Sequence, residues 1–318
     1  MRVPQKVRKG SRSAASLALP NGRTRLLGIV GDPLEHSLSP ALHSAVLRRL
    51  DRNLLYVPLP VPEARLATFL REAGSMGIVG VNVTTPYKEL VARRVTARDL
   101  ETRRTRMVNT VTFTGARGAG GAVGEGTDGA GVLSWLESVG ADFEPLLILG
   151  GGPTARSVLH RAWMRGWSAT LVTRTPVAAR RTLAAWPRIV AAGKRPGRGE
   201  ELARSARPSV IGWDAIDSLS LPRLVISTLP PTVGASIARK RFFTALPPRS
   251  LVLDMNYGAG RIGLAEGARK AGCRAATGIG PLLHQAARSL SIWLQEDVPV
   301  SLFVHAWAGR TSELRFTR

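Results

Sequence analysis

The segment Asn82-Val83-Thr84-Thr85-Pro86-Tyr87-Lys88 sets an amide, three hydroxyls and an amine directly after the apolar run Gly77-Ile78-Val79-Gly80-Val81. Such a run reads as a buried strand, and open α/β sheets bind small molecules at the carboxyl ends of their strands. A lysine placed there can supply positive charge or a proton to an oxygen that turns negative during reaction. Two further polar clusters flank this one. Leu26 to Gly31 reads as a strand running into His36-Ser37-Leu38-Ser39-Pro40, where Ser-x-Ser-Pro opens a helix and its hydroxyls suit a carboxylate. Met107-Val108-Asn109-Thr110-Val111 reads as a strand beginning with an amide, and Gly124 to Gly129 ends a Gly-rich hairpin in Asp128. Lysine, asparagine and aspartate together suit holding a polyol and moving its proton. Taken singly, a lysine after a strand is ordinarily solvated and Ser-x-Ser-Pro is ordinarily a helix cap, so the weight rests on the ordered series. No G-x-S-x-G elbow accompanies His36, which argues against a hydrolase. His36 is assigned to fixing its loop through a hydrogen bond, and His284 to a helix face.

A second unit begins at another apolar run. The run Leu146-Leu147-Ile148-Leu149 leads into Gly150-Gly151-Gly152-Pro153-Thr154-Ala155 and then a helical stretch to about Arg165. Strand, G-x-G-x-x-A turn and helix make a dinucleotide fingerprint, whose glycines admit the pyrophosphate and whose helix N-terminus stabilises its charge. Pro153 lacks an N–H there but suits a first helical turn. The next strand, Ser168 to Val172, ends in Thr173-Arg174-Thr175, and no acid lies between Trp167 and Trp186. Arg174, with Arg180 or Arg181 nearby, therefore favours a 2'-phosphate and NADP(H) over NAD(H). Leu224 to Ser227, before Thr228, and Leu251 to Met255 supply later strands of the same half.

With 318 residues, 44% of them hydrophobic, the chain can bury two cores. Cys273 is the single cysteine, which excludes an internal disulfide and a multi-cysteine zinc site, so no metal is expected and a reducing cytoplasm fits. No apolar run approaches the roughly 18 residues that span a bilayer, so no membrane partner is expected. The formal net charge of +23 raises the question of nucleic acid. Its arginines are dispersed, without aromatic interleaving or a nucleic-acid motif, so nucleic acid is not expected as a partner. The field instead steers small anionic ligands. Residues 1–24 read as a flexible basic extension, with a composition shared by organelle transit peptides. Ala191 to Arg207 reads as a surface loop or short helix.

In their order along the chain these motifs resemble the shikimate dehydrogenase family over roughly residues 25 to 295. The resemblance implies an α/β fold with an N-terminal three-layer substrate domain, residues 25–127 and 278–318, and a Rossmann NADP-binding domain, residues 128–277. It implies that Ser37 and Ser39 bind the substrate carboxylate, that Thr84, Asn109 and Tyr257 are substrate contacts, and that Lys88 and Asp128 are catalytic. Gly278-Ile279-Gly280-Pro281-Leu282-Leu283-His284-Gln285-Ala286 is similar to the family's G-x-G-M-L-x-x-Q-A, which implies that Gln285 touches a substrate hydroxyl and that Gly278, like Thr228, borders the cofactor. The activity implied is reversible, NADP-dependent reduction of 3-dehydroshikimate in aromatic amino-acid biosynthesis, by a cytoplasmic monomer or homodimer acting on a small carboxylate. A quinate or aminoshikimate dehydrogenase and a non-catalytic ligand-binding relative are the alternatives. Departures from the pattern fall at Gly126, where the family has the asparagine of N-T-D, at Pro153, at Pro281 and at Asn256 to Arg261.

If Arg174 pairs with the 2'-phosphate, steady-state kinetics will show NADP(H) preferred. Arg174→Ala is then expected to raise KM for NADP(H) and leave that for NAD(H) almost unchanged. Equal use of both cofactors by the unmutated protein rejects the assignment.

Overall fold

The structure is a computed structural model that describes residues 20–114, 121–141, 144–186, 208–237, 241–258 and 260–308. Most of the basic extension and the whole of Ala191 to Arg207 lie outside the described residues. Two six-stranded sheets carry the chain. The first holds β1 (Arg25–Val30), β2 (Leu54–Leu59), β3 (Ile78–Val83), β4 (Thr96–Ala97), β5 (Thr110–Phe113) and β6 (Ala122–Glu125), in the order β2-β1-β3-β5-β6-β4. Strand β1 is parallel to β2 and β3, whereas β5 is antiparallel to β3 and β6. The second holds β7 (Leu146–Leu149), β8 (Ala169–Val172), β9 (Ser209–Ile211), β10 (Leu224–Ser227), β11 (Leu251–Asp254) and β12 (Arg274–Thr277). Its order is β12-β11-β10-β7-β8-β9 and every pair is parallel, the doubly wound arrangement with its switch point between β7 and β10.

The helices, in chain order, are α1 (Ser39–Arg49), α2 (Glu63–Glu72), α3 (Lys88–Ala92), α4 (Leu100–Thr105), α5 (Asp128–Ser138) and α6 (Pro153–Met164). They continue with α7 (Pro176–Ala185), α8 (Pro231–Ile237), α9 (Gly263–Lys270), α10 (Ile279–Leu294) and α11 (Val300–Trp307). Among the described residues no helix is long and apolar enough to cross a membrane.

Each sheet is buried on both faces, which is why its central strands are nearly continuous apolar runs. In the second sheet Ile148, Ile226 and Leu253 pack with Val132, Val158 and Trp163, while Leu147, Val225 and Val252 pack on the other side with Phe243 and Leu264. In the first, Leu27, Ile29 and Tyr56 share a core with α1, α10 and α11 through Leu42, Val46, Leu283, Leu290 and Phe303. Its other face joins Val81, Val83 and Val111 to Leu66, Leu70 and Val91. Helix α10 thus belongs to the core of the first sheet and also lies along α5, which covers the second. Their approach needs glycine on both sides: a Cβ on Gly131 would stand 2.8 Å from the Pro281 carbonyl oxygen, and one on Gly280 would stand 2.1 Å from Trp135 Nε1.

One charged cluster is buried where α4 meets α6. Glu101, 4% exposed, forms an ion pair with Arg161 and accepts a hydrogen bond from Ser157 Oγ at 2.5 Å. Burial pushes its carboxyl from 4.5 up to about 7, against the opposing pull of Arg161 and Ser157. The folded value lies above the unfolded one, so the stabilising contribution is complete below about pH 4.5 and is lost as pH rises through about 7. Glu101→Gln removes this titration. Thermal unfolding across that window is expected to show a shallower decline for the variant than for the parent, and parallel curves contradict the assignment.

Candidate active site

A cavity of about 510 Å³ opens where the carboxyl ends of the two sheets meet. Residues after β1, β3, β10 and β11 line it, together with Thr154 from the first turn of α6 and Gln285 from α10. In the second sheet this is the switch point, where two chain segments leave in opposite directions and open a crevice.

Lys88 is the first residue of α3, and its backbone carbonyl accepts from Val108 N–H at 3.3 Å, which ties the lysine to the segment leading into β5. Its Nζ stands 2.5 Å from Asp128 Oδ2 and 3.3 Å from Thr154 Oγ1. The two charged side chains are 15% and 12% exposed, so the pair is shielded yet open to a ligand. Asp128 is the first residue of α5, where the helix N-terminus favours a carboxylate. It therefore begins a helix rather than ending a hairpin loop, because the β5–β6 hairpin finishes at Glu125.

Asn109 stands one residue ahead of β5, which starts at Thr110 rather than at Met107. Its Nδ2 donates to Asp128 Oδ1 at 2.7 Å, Thr127 Oγ1 at 2.8 Å and Gln285 Oε1 at 3.1 Å. Its Oδ1 accepts from Thr127 N–H at 2.6 Å. Beneath it lies a buried layer that joins Asn82 and Thr110, from the polar clusters, to Tyr56 and Ser289, which the motifs do not single out. Asn82 Nδ2 donates to Asn109 O at 3.1 Å and Ser289 Oγ at 3.0 Å, Tyr56 O–H donates to Asn82 Oδ1 at 2.8 Å, and Thr110 lies 2.8 Å from Ser289. One signal for this layer was present: Ser289 follows Gln285 by four residues on an otherwise apolar helix face.

Ser37, Ser39, Thr84 and Tyr257 line the same cavity as Lys88, Asn109, Asp128 and Gln285. Ser39 is buried and its N–H donates to Ser37 Oγ at 3.3 Å. Thr84 N–H donates to Val30 O at 2.9 Å, which clamps the ends of β1 and β3 together. Burial raises the Tyr257 phenol above its ordinary value. His36 also lines the cavity, but it is exposed and makes no hydrogen bond among the described residues, so it does not fix its loop as expected. His284 lies on α10 as expected, its imidazole pushed down by burial.

The glycine turn packs its first two residues closely against the ends of neighbouring strands and leaves its third open, where a pyrophosphate can approach the backbone. Gly150 has φ +114, and a Cβ there would meet Thr228 Oγ1 at 2.4 Å; on Gly151 it would meet Thr173 Oγ1 at 2.4 Å. Beside Gly152 there is open space. Pro153 is the first residue of α6, where no intrahelical N–H is needed, and Ala155 is buried against the sheet. Thr154 has a second use, since its hydroxyl donates to Asp128 Oδ2 at 3.2 Å. Thr228 and Gly278 line the cavity, whereas Thr173, Arg174 and Thr175 follow β8 outside that lining. Arg174 is exposed and has no hydrogen bond or ion pair among the described residues. Arg180, offered as its helper, donates to Val210 O at 2.8 and 3.2 Å instead. Asn256 is likewise occupied, its Nδ2 donating to Leu229 O at 2.9 Å and Asp254 Oδ1 at 2.8 Å.

A doubly wound sheet joined to a second α/β sheet, with a lysine–aspartate pair in the cleft beside a glycine-rich turn, is the framework of a two-domain dehydrogenase. A family profile described as the shikimate dehydrogenase substrate binding domain matches residues 29–111. The NADP+ shikimate dehydrogenase of Methanopyrus kandleri is 31% identical over 293 residues, covering 90% of this chain and 96% of that protein. Its counterpart from Jannaschia sp. is 33% identical over 282 residues, covering 84% and 91%. The crystal structure of Mycobacterium tuberculosis shikimate dehydrogenase superimposes with a TM-score of 0.71 at 26% identity, over 90% of this chain and 99% of that one. The chain belongs to the shikimate dehydrogenase family.

Proposed function

We propose that the protein is an NADP-dependent shikimate dehydrogenase, an oxidoreductase acting on a CH–OH group that reduces 3-dehydroshikimate reversibly in aromatic amino-acid biosynthesis. The observation that carries this reading is the Lys88–Asp128 pair, held 2.5 Å apart between the cavity and the glycine turn. The names of the relatives support the substrate and the cofactor.

The open space beside Gly152 and the exposed Arg174 suit a dinucleotide with a 2'-phosphate. Bound NADPH supplies the hydride. As the substrate ketone becomes an alkoxide, the Lys88 ammonium stabilises the growing charge and donates the proton; in the reverse direction its amine takes the proton from the hydroxyl. Asp128 keeps the Lys88 nitrogen oriented, and Thr154 steadies both. Ser37 and Ser39 hold the carboxylate, with Tyr257 and Thr84 completing that end. Asn109 and Gln285 meet ring hydroxyls from the opposite wall.

The same reading divides the chain into a substrate half, residues 25–127 and 278–318, and a cofactor half, residues 128–277. The core that α10 and α11 share with β1, β2 and α1 supports this division. A cytoplasmic monomer or homodimer without a nucleic-acid partner belongs to it too, supported by the lone cysteine and the dispersed arginines. Asn256 lends no weight to a quinate or aminoshikimate enzyme, because its amide is spent on Leu229 and Asp254. Pro281 and Arg261 are the remaining differences at the cavity wall.

Initial rates of NADP+ reduction with shikimate, quinate and an aminoshikimate test the reading, and shikimate is expected to be used most efficiently. Turnover of either competitor without turnover of shikimate replaces it. In the same assay Lys88→Ala is expected to lower kcat by about 100-fold or more while KM changes less. Near-parental kcat in that variant removes Lys88 from the mechanism.

A further inference from the structure

Asp128 is held from a second direction, through the peptide that follows it. Gly129 N–H donates to Ser157 Oγ at 3.0 Å, and Ser157 in turn donates to Glu101 Oε1 at 2.5 Å. Ser157 is fully buried and Glu101 nearly so. Gly129 is the second residue of α5, so its N–H has no partner within the helix, and Thr127 at the N-cap provides no side-chain cap. Ser157 therefore acts as the cap from a neighbouring helix. A hydroxyl has one proton; with that proton committed to Glu101, its lone pairs remain for Gly129. Arg161, one turn further along α6, fixes the carboxylate that does this.

Glycine at position 129 makes the arrangement possible, and Gly126 eases it. A Cβ on Gly129 would lie 2.5 Å from Ser157 Oγ and 2.6 Å from Ser157 O, and one on Gly126 would lie 3.3 Å from Glu101 Oε1. Gly126 loosens the backbone that leads to Asp128, and the Glu101 carboxylate lies against that same position. Thr154 and Ser157 stand three residues apart on one face of α6. The first hydroxyl contacts the Asp128 carboxylate and the second holds the next peptide.

We propose that Ser157 and Glu101 are positioning residues for Asp128, through which the cofactor helix α6 sets the geometry of the Lys88–Asp128 pair. What the pair does rests on the dehydrogenase reading above; how it is held does not. Ser157→Ala in the full chain keeps the Glu101–Arg161 ion pair and removes both the acceptor of Gly129 N–H and the hydroxyl that donates to Glu101 Oε1. Its kcat for shikimate is expected to fall about tenfold with KM within about twofold. The rate at which acetic anhydride acylates Lys88 at fixed pH, read by mass spectrometry, is expected to rise severalfold as Asp128 loosens. In Glu101→Gln the amide oxygen turns to Arg161 and the NH2 to Ser157, so the Ser157 proton loses the acceptor that aimed its lone pairs at Gly129; both readouts move the same way but less far than in Ser157→Ala. Because Glu101 acts through Ser157, the double variant is expected to match Ser157→Ala. Unchanged Lys88 acylation in Ser157→Ala, or additive losses in the double variant, overturns the proposal. A parent chain that oxidises no shikimate overturns the dehydrogenase reading alone, since acylation still reports on the pair.

Discussion

The Asn109 side chain is the contact on which the rest of the site depends. One amide, 2% exposed, meets the carboxylate of Asp128, the backbone N–H and hydroxyl of Thr127, and the Gln285 side chain. Those partners come from the N-terminus of α5 and from α10, while Asn109 itself leads into β5. A hydrogen bond to a charged group contributes about 1.5–3 kcal/mol, and a buried donor left unpaired costs a comparable amount. The amide therefore opposes independent movement of the three elements. Lys88 inherits its place from this arrangement, because Asp128 fixes its amine and Val108 N–H fixes its carbonyl.

Packing around the amide serves the same end. Helices α5 and α10 approach over Gly131 and Gly280, where a methyl group would strike the backbone of α10 or the indole of Trp135. This close contact brings Gln285, on the core of the first sheet, within reach of Asn109 and Thr127. Beneath them Asn82, Thr110 and Ser289 form a fully satisfied polar layer, which rigidifies where a partly satisfied one would destabilise. The cavity thus has a stiff floor and a wall of loops after β1 and β3.

Much of this was legible in the sequence, because the reactive groups sit within a few residues of the strands that position them. Ser37, Thr84 and Lys88 follow apolar runs, and the glycine turn follows another, so local periodicity located them. Partnerships between distant residues were not legible. Asn82 meets Ser289 across 207 positions, and the Glu101–Ser157 link spans 56, distances over which no local pattern carries information. Arg180 and Asn256 show the converse. Each has a side chain suited to a ligand, yet each is spent on a neighbouring carbonyl oxygen.

Asn109→Asp tests most directly whether the amide organises the site. Aspartate still accepts from Thr127 N–H but donates nothing to Asp128 or Gln285, and it sets a second carboxylate beside the first. The measurement is kcat/KM for NADP+-dependent oxidation of shikimate by the variant and its parent. A loss of about 100-fold or more is expected if the amide's donor bonds hold the pair in place. Activity within about twofold of the parent contradicts that role and leaves Lys88 and Asp128 to be positioned by their own helices alone.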